Sequence, residues 1–103
     1  MPAIHRDDRK HRYVIDVDGR EAGFLQYVER PGRVILVHTE VHSEFEGHGL
    51  AGQLAAYALD DIRARGLRVV PLCPYVEHFL EQHPDYEDLV DHAALAALEE
   101  KQS

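Results

Sequence analysis

The segment from Arg33 to Cys73 constrains the fold of this chain more than any other. It begins with a nearly continuous apolar stretch, passes through three glycines into a helical pattern, and ends in a second apolar stretch that starts at Leu67. The helical part repeats apolar residues at spacings of three and four, which is typical of a helix with one buried face. These residues are Leu50, Ala51, Leu54, Ala55, Ala58, Leu59 and Ile62. A strand, a helix and a strand joined this closely predict a parallel strand pair with a right-handed crossover.

Two tight-turn dipeptides divide the residues before the helix into three strands. Asp18-Gly19 follows a strand that begins near Tyr13, and Pro31-Gly32 follows a second strand from about Glu21 to Glu29. Both dipeptides are typical of short turns between antiparallel strands. The third strand, Arg33 to about His42, is apolar on both faces over its first half, which indicates a central strand.

A second helix is predicted after the fourth strand, because Pro74 suits the first position of a helix that runs to about Gln82. His83-Pro84 ends this helix, and the tail AALAALEEKQS has helical propensity but little to anchor it. The predicted order is βββαβα, an α+β fold of mostly antiparallel strands with one parallel pair. We expect one domain over residues 1–103, with frayed ends at 1–11 and 93–103.

The charge of the chain narrows its range of partners. With 19 acidic and 11 basic residues, the formal net charge is −8, which argues against a nucleic-acid-binding protein. An anionic ligand would have to be held by local backbone amides, because the overall field repels it. The eight histidines show no metal-ligand spacing, so no metal site is expected, although His11, His38, His42 and His48 could converge in space.

Composition also predicts the cellular location. No stretch reaches the roughly 20 apolar residues that span a bilayer, so no membrane partner is expected. The N-terminus, MPAIHRDDRKHR, is charged where a signal peptide is apolar. The single cysteine, Cys73, excludes an internal disulfide framework. We therefore expect a cytoplasmic protein.

Gly47, Gly49 and Gly52 spell G-x-G-x-x-G, the dinucleotide-binding pattern, but their context excludes that site. The stretch HSEFE separates the glycines from the strand, and Val70–Cys73, about 20 positions further on, contains no acidic residue. A P-loop is excluded because no Lys-Ser or Lys-Thr follows the glycines. A glycine turn at a helix N-terminus still suits a phosphate group. The alternative is a turn that merely connects a strand to a helix.

This stretch resembles the phosphate loop of the GNAT superfamily of acyl-CoA-dependent N-acetyltransferases, whose pattern is Q/R-x-x-G-x-G/A. The chain fits the pattern at Gly49 and Ala51, with Glu46 where glutamine or arginine is usual. The stretches HTEV at 38–41, EGHGLAGQLA, GLRVVPLCPYV and HPDYEDLV further resemble a group of very small, single-domain GNAT-like proteins. The likeness extends over nearly the whole chain, from Tyr13 to Val90.

The resemblance implies that the chain binds acetyl-CoA or coenzyme A, with the pyrophosphate on backbone amides of the glycine loop. The implied cofactor contacts are Val41, Glu46, Gly47, His48, Gly49, Leu50, Ala51, Cys73 and Phe79. In the larger family two parallel strands part and the pantetheine arm lies in the gap. Pro71 in the fourth strand is consistent with such a gap, because proline removes a donor from the strand ladder. A harmless proline in an edge strand is the alternative.

Acetyl transfer to an amine needs a base for the ammonium group and a proton source for the leaving thiolate. Glu40 is the predicted base, because it lies near the end of the central strand, where that strand should approach the thioester. Strand alternation places it on one face with His38 and His42, unless a bulge resets the register. A surface or ion-paired glutamate is the alternative.

Cys73 and Tyr75 are the other catalytic candidates. Cys73 precedes a helix start, where a thiol could carry the acetyl group transiently, line the pantetheine channel or simply pack. In the GNAT superfamily the usual acid is a tyrosine, but Leu80 occupies that place here. Tyr75, one turn earlier, is the substitute, and core packing is its alternative role.

The resemblance therefore implies an N-acetyltransferase that moves an acetyl group from acetyl-CoA to an amine. The chain lacks the N-terminal helices that cover the acceptor side in larger GNAT enzymes, so we expect an open site that suits a protein or peptide amine, or a small amine with little discrimination. Two other functions stay open. One is a non-catalytic acyl-CoA-binding or sensing module, and the other is an interaction protein whose glycine loop is structural.

Overall fold

The computed structural model describes residues 2–102 and contains a five-stranded sheet. The strands are β1 (Pro2–Asp7), β2 (Arg12–Val17), β3 (Arg20–Arg30), β4 (Arg33–Val41) and β5 (Arg68–Pro71). They lie side by side in chain order; neighbours from β1 to β4 are antiparallel, and β5 is parallel to β4. The predicted α+β fold with one parallel strand pair is confirmed.

Two-residue turns join β2 to β3 and β3 to β4, as the sequence predicts. Asp18 and Gly19 both have positive φ, 51° and 79°, which matches the right-handed twist of the flanking strands. Gly32 has a φ of 78°, a conformation that glycine adopts without steric cost. These turns keep β2, β3 and β4 adjacent.

Three α-helices follow β4: α1 (Leu50–Ala64), α2 (Pro74–Gln82) and α3 (His92–Gln102), with short 3₁₀ segments at Ser43–Phe45 and Pro84–Leu89. α1 ends where Gly66 takes a φ of 70° and the N–H of Leu67 donates to the Ile62 carbonyl at 3.1 Å. The chain then enters β5 at once. Within residues 2–102, no helix is both long and apolar enough to cross a bilayer.

The two ends of the described chain differ from the predicted order, which lacked β1 and α3. Pro2–Asp7 pairs along its whole length with β2, because Arg6 donates to Asp61 at 2.8 Å and Ile4 packs against the core. The last helix begins after Asp91, whose carboxylate accepts the N–H of Ala94 at 3.0 Å. Pro2–Asp7 and His92–Gln102 thus form regular elements, while the expected fraying at 1–11 and 93–103 stays a prediction and Met1 and Ser103 lie outside the described residues.

The main core lies on one face of the sheet, between the strands and the helices α1 and α2. Tyr13, Leu25 and Leu36 of the sheet join Leu54 of α1 and Val76 of α2 in one buried cluster. Residues that alternate with these strand positions face the other side. We call that side the open face and define it by His5, Arg12, Asp16, Glu21, Phe24, His38, Glu40 and His42.

Candidate cofactor cleft and active site

The connection between β4 and α1 presents backbone amides to solvent. Gly47 and Gly49 have φ values of 85° and 72°, in the left-handed region that favours glycine. Gly49 is the N-cap of α1, so no side chain bonds the first-turn amides, and no acidic residue lies in that turn. Free amides at a helix N-terminus are suited to binding a phosphate group.

A cleft of about 170 Å³ opens at this turn, between the end of β4 and the first turns of α1 and α2. It brings together Tyr75 and six of the predicted cofactor residues. Those six are Val41, Glu46, Gly47, Gly49, Leu50 and Ala51. Phe45 and Gly52 also line the cleft. Phe45 was not among the predicted contacts, and its 3₁₀ segment carries no motif that could have indicated it.

Three predicted cofactor residues lie elsewhere. His48 lines an adjoining cavity of about 390 Å³, which shares Phe45 and Leu50 with the cleft. Phe79 is only 8% exposed, and its ring stacks on His83 at a centroid distance of 3.9 Å. Cys73 is 3% exposed and is not among the residues that line the cleft. The cofactor roles of these three residues stay predictions.

β4 and β5 separate before β4 reaches the cleft. Their pairing runs from Arg33 and Arg68 to Leu36 and Pro71, and it stops there. The Leu36 carbonyl accepts hydrogen bonds from both Leu72 and Cys73, each at 3.0 Å. β5 is also the last strand of the sheet. Both interpretations of Pro71 therefore apply, because this residue lies in an edge strand and also at the point where the strands part.

A β-bulge in β4 coincides with this separation. Gln26 of β3 pairs with His38 and Tyr27 pairs with Leu36, which leaves Val37 without a partner. The bulge precedes His38, so His38 and Glu40 still share one face. Their side chains are 54% and 50% exposed, and the His38 Nε2 lies 3.5 Å from a Glu40 carboxylate oxygen. Glu40 is thus accessible on the open face, as a base for an incoming amine must be.

Gly23 has a role beside Glu40 that sequence reasoning missed. A Cβ at this position would lie 2.5 Å from the Glu40 carbonyl oxygen, a distance that real Cβ atoms do not show. The absence of a side chain therefore lets β3 approach β4 closely at the candidate base. A glycine inside a strand is the signal for such an approach.

Cys73 lies where β4 and β5 have parted. Its Sγ is 3.2 Å from the Thr39 Oγ1 across the gap, and it forms the N-cap of α2, ahead of Pro74. The thiol is buried. Thr39 is a further site residue that the sequence did not indicate, because its contact with Cys73 spans 34 positions.

Tyr75 lies over the first turn of α1. Its hydroxyl would be 3.4 Å from a Cβ at Gly52, and the side chain is 37% exposed. Burial raises the pKa of Tyr75 above its usual value, so the phenol keeps its proton at neutral pH. Leu80, at the place of the usual acid, is 6% exposed and belongs to the core. Tyr75 therefore places a protonated hydroxyl at the cleft wall, and its catalytic role stays a prediction.

His11, His38, His42 and His48 do not converge in the described part of the chain. Among the described residues, no three side chains of histidine, cysteine, aspartate or glutamate are grouped to hold a metal ion. His38 and His42 instead lie next to single carboxylates, those of Glu40 and Glu21, at 3.5 Å.

Comparison with solved structures supports the fold. A GCN5-like protein from Staphylococcus aureus, solved in solution, matches with a TM-score of 0.66 and 21% identity over 85% of this chain and 86% of its own. N-acetylglutamate synthase from Neisseria gonorrhoeae, complexed with coenzyme A and N-acetyl-glutamate, matches with a TM-score of 0.53 and 16% identity. That match covers 66% of this chain and 19% of the larger enzyme.

Sequence comparison identifies the family. Protein NATD1 of Bos taurus is 30% identical over 83 residues, which are 79% of this chain and 74% of that protein. Residues 12–89, from the start of β2 to the end of the second 3₁₀ segment, match the family described as GCN5-related N-acetyl-transferase. This stretch contains the glycine turn, the two strands that part, and the candidate catalytic residues Glu40, Cys73 and Tyr75. The chain belongs to the GCN5-related N-acetyltransferase family.

Proposed function

We propose that this chain binds acetyl-CoA and transfers its acetyl group to an amine. The observation that carries the proposal is the N-terminus of α1, which has no side-chain cap and opens into a cleft beside two parting strands. Membership of the family supports the same activity.

The residues present fit the cofactor. The amides from Gly47 to Ala51 are free to bind a pyrophosphate, which the helix dipole also favours. The cleft, about 170 Å³, accommodates only part of the cofactor, and the gap between β4 and β5 gives a longer arm a path towards Thr39 and Cys73. Acetyl-CoA supplies the activated acetyl group when it is bound.

Glu40 is the proposed base. An amine is protonated near neutral pH and attacks only after it loses a proton, which the exposed Glu40 carboxylate can accept on the open face. Tyr75 is the proposed proton donor, because its protonated hydroxyl lines the cleft. Cys73 lines the gap in this proposal and forms no covalent intermediate.

A non-catalytic acyl-CoA-binding module is the second candidate. The buried Leu80 favours it, since the usual tyrosine acid of larger relatives is missing and its place belongs to the core. This module would bind coenzyme A through the same glycine turn.

Two measurements test the proposal. Calorimetric titration with coenzyme A should show binding tighter than about millimolar, and its absence would exclude both cofactor functions. Mass spectrometry of amines incubated with acetyl-CoA should then show acetylated product, which the non-catalytic module cannot form.

Glu40→Gln should lower turnover about 100-fold at neutral pH with little change in coenzyme A affinity. The deficit should shrink at high pH, where free amine is plentiful; an unaltered pH–rate profile would assign the base elsewhere.

A further inference from the structure

A second cavity opens beside the cofactor cleft and is the larger of the two, at about 390 Å³ against about 170 Å³. It lies between the first turn of α1 and the ends of β1 and β2, where Pro2 and Val17 form part of its wall. Phe45 and Leu50 line both spaces, so the two adjoin. We call it the side cavity. Its volume is in the range of cavities that bind small molecules, which begins at about 300 Å³.

The side cavity and the cleft lie on different sides of α1. Successive helix residues point about 100° apart, and Gln53 lines the side cavity whereas Ala51 and Gly52 line the cleft. The cleft faces α2, whose Tyr75 forms part of its wall, and the side cavity faces β1 and β2. The uncapped N-terminus of α1 lies between the two spaces. A ligand held by the amides of that turn therefore has room on both sides of it.

The walls of the side cavity combine apolar surface with free polar groups. The apolar part comes from the strand ends and from Phe45 and Leu50, which were named above. The polar part includes His48 and Gln53, whose side chains have no hydrogen-bond partner within residues 2–102. Glu44 also lines the cavity, but its charge is offset by Arg20 at 2.7 Å. Such walls suit a flat ring with apolar faces and a polar edge.

On the basis of the cofactor binding proposed above, we propose that the side cavity binds the adenosine end of coenzyme A. Two arms leave the pyrophosphate of this cofactor, and the gap between β4 and β5 gives a path to only one of them, the pantetheine arm. The adenine faces would pack against Val17 and Phe45. Its amino group and a ring nitrogen would meet the Gln53 amide, which offers both an acceptor and a donor.

This placement also defines the class of acyl donor. A phosphopantetheine arm attached to a carrier protein has no adenosine and would leave the side cavity empty. The free coenzyme A thioester is therefore the preferred donor. The ends of β1 and β2 contribute to its affinity, although they lie outside the glycine motif.

Calorimetric titration compares coenzyme A with 4′-phosphopantetheine, which keeps the pantetheine arm and one phosphate but lacks adenosine. Coenzyme A should bind at least about tenfold tighter, because only its adenosine buries surface in the side cavity. The comparison measures binding alone and does not depend on acetyl transfer.

Variants at Gln53 locate the effect, and its exposed position on α1 makes them compatible with folding. Gln53→Ala removes the amide and should weaken coenzyme A binding about threefold. Gln53→Trp fills the cavity and should weaken it at least about tenfold. Neither variant should change the affinity for 4′-phosphopantetheine. Ala64→Trp is the matched control, because it adds the same ring at the exposed last residue of α1 and should leave both affinities unchanged.

Adenosine 3′,5′-bisphosphate, a fragment without the pantetheine arm, tests the location directly. In nitrogen-15 spectra its titration should shift the side-chain amide signals of Gln53 and the backbone N–H signal of Val17. Shifts confined to the cleft side of α1, at Ala51 and Tyr75, would place the adenosine there and overturn the proposal.

The outcomes separate this proposal from cofactor binding itself. Equal affinities for coenzyme A and 4′-phosphopantetheine would overturn the adenosine site while coenzyme A binding stands. The same holds if Gln53→Trp leaves coenzyme A affinity unchanged, or weakens both ligands equally. If coenzyme A does not bind at all, the proposed cofactor function fails, and the adenosine site fails with it.

Discussion

The two ends of the sheet are held together in different ways. Where α1 stops, the Asp61 carboxylate accepts hydrogen bonds from Arg6 and Tyr13, both at 2.8 Å, and Asp8 accepts one from Tyr27 at 2.8 Å. Where α1 begins, glycines with positive φ form the turn. One ion pair at that end, between Arg20 and Glu44, is well exposed and so contributes little. We call the first end the cross-linked end and the second the cleft end.

This difference separates the groups that stabilise the fold from the groups proposed to bind the cofactor. At the cross-linked end, part-buried polar side chains tie β1, β2 and β3 to each other and to α1. At the cleft end, binding depends on the conformation of one short turn. Substitutions at the first end should therefore change the free energy of unfolding, and those at the second should change ligand affinity.

The largest expected effect is a loss of stability at alkaline pH. Burial, and then hydrogen bonds to Asp61 and Asp8, raise the pKa values of Tyr13 and Tyr27 above the ordinary value of about 10. The unfolded chain therefore loses these protons at a lower pH than the folded chain. Their contribution is complete below about pH 10 and is lost progressively as the pH rises towards the folded pKa values.

Urea unfolding at a series of pH values measures this dependence. Above pH 10 the free energy of unfolding should fall by about 1.4 kcal/mol per pH unit for each of the two tyrosines. Tyr27→Phe should reduce this slope by about 1.4 kcal/mol per pH unit, the contribution of one tyrosine. A slope that Tyr27→Phe leaves unchanged would contradict the assignment to the cross-linked end.

A neighbouring pair of aspartates tests the cross-linked end at neutral pH. Asp61→Ala leaves Arg6 and Tyr13 without their shared acceptor, so the free energy of unfolding should fall by about 2 kcal/mol. Asp60→Ala is the matched control, because it removes one exposed hydrogen bond from Tyr86 and should cost about 0.5 kcal/mol. Both variants should keep their affinity for coenzyme A. Equal losses from the two would mean that the Asp61 contacts add no particular stability.

Two glycines with the same backbone conformation test the cleft end. Gly49 and Gly32 have φ values of 72° and 78°, and a Cβ at either position would meet no atom within 4 Å. Gly49→Val and Gly32→Val should therefore cost similar stability, about 1–2 kcal/mol, by forcing a β-branched residue into the left-handed region. Only Gly49→Val should weaken coenzyme A binding, by at least about tenfold. Equal affinities in a calorimetric titration would remove the phosphate site from this turn.

Local signals predicted most of the fold. The dipeptides Asp18-Gly19 and Pro31-Gly32 determine the conformation of only a few neighbouring residues, and both turns form where expected. β1 was missed because its one strongly apolar residue, Ile4, gives no clear alternation. Its stability depends on Arg6 reaching Asp61, 55 positions away, and no local pattern contains that contact. Cytoplasmic location, by contrast, stays a prediction.

The candidate site likewise contains residues that the local sequence predicts and residues whose roles depend on distant parts of the chain. The glycine turn and the start of α1 follow from local sequence, so most predicted loop residues line the cleft. His48 belongs to the same motif but lines another cavity, because the direction of a loop side chain depends on what packs around the loop. Thr39, next to Cys73, and Gly23, next to Glu40, were missed because each role depends on a neighbouring strand or helix.

The smallest expected effect concerns Cys73, which lies where β4 and β5 have parted. Its buried thiol contacts Thr39 across the gap, so a structural and a covalent role predict different results. Cys73→Ala removes one sulfur atom from a packed site and should cost about 1 kcal/mol of stability. It should retain acetyl transfer within about threefold, because the amine attacks the acetyl group directly.

Intact-protein mass spectrometry after brief exposure to acetyl-CoA distinguishes the two roles of Cys73. A covalent carrier must show one acetyl group on the protein, and added amine must remove it. Cys73→Ser is the matched control, because it keeps a group of similar size beside Thr39 while it replaces the thiol. We expect no stoichiometric adduct, and both variants should remain active. A dischargeable adduct on Cys73, together with inactive variants, would show that the gap between β4 and β5 holds the nucleophile and that its thiol does more than line the path.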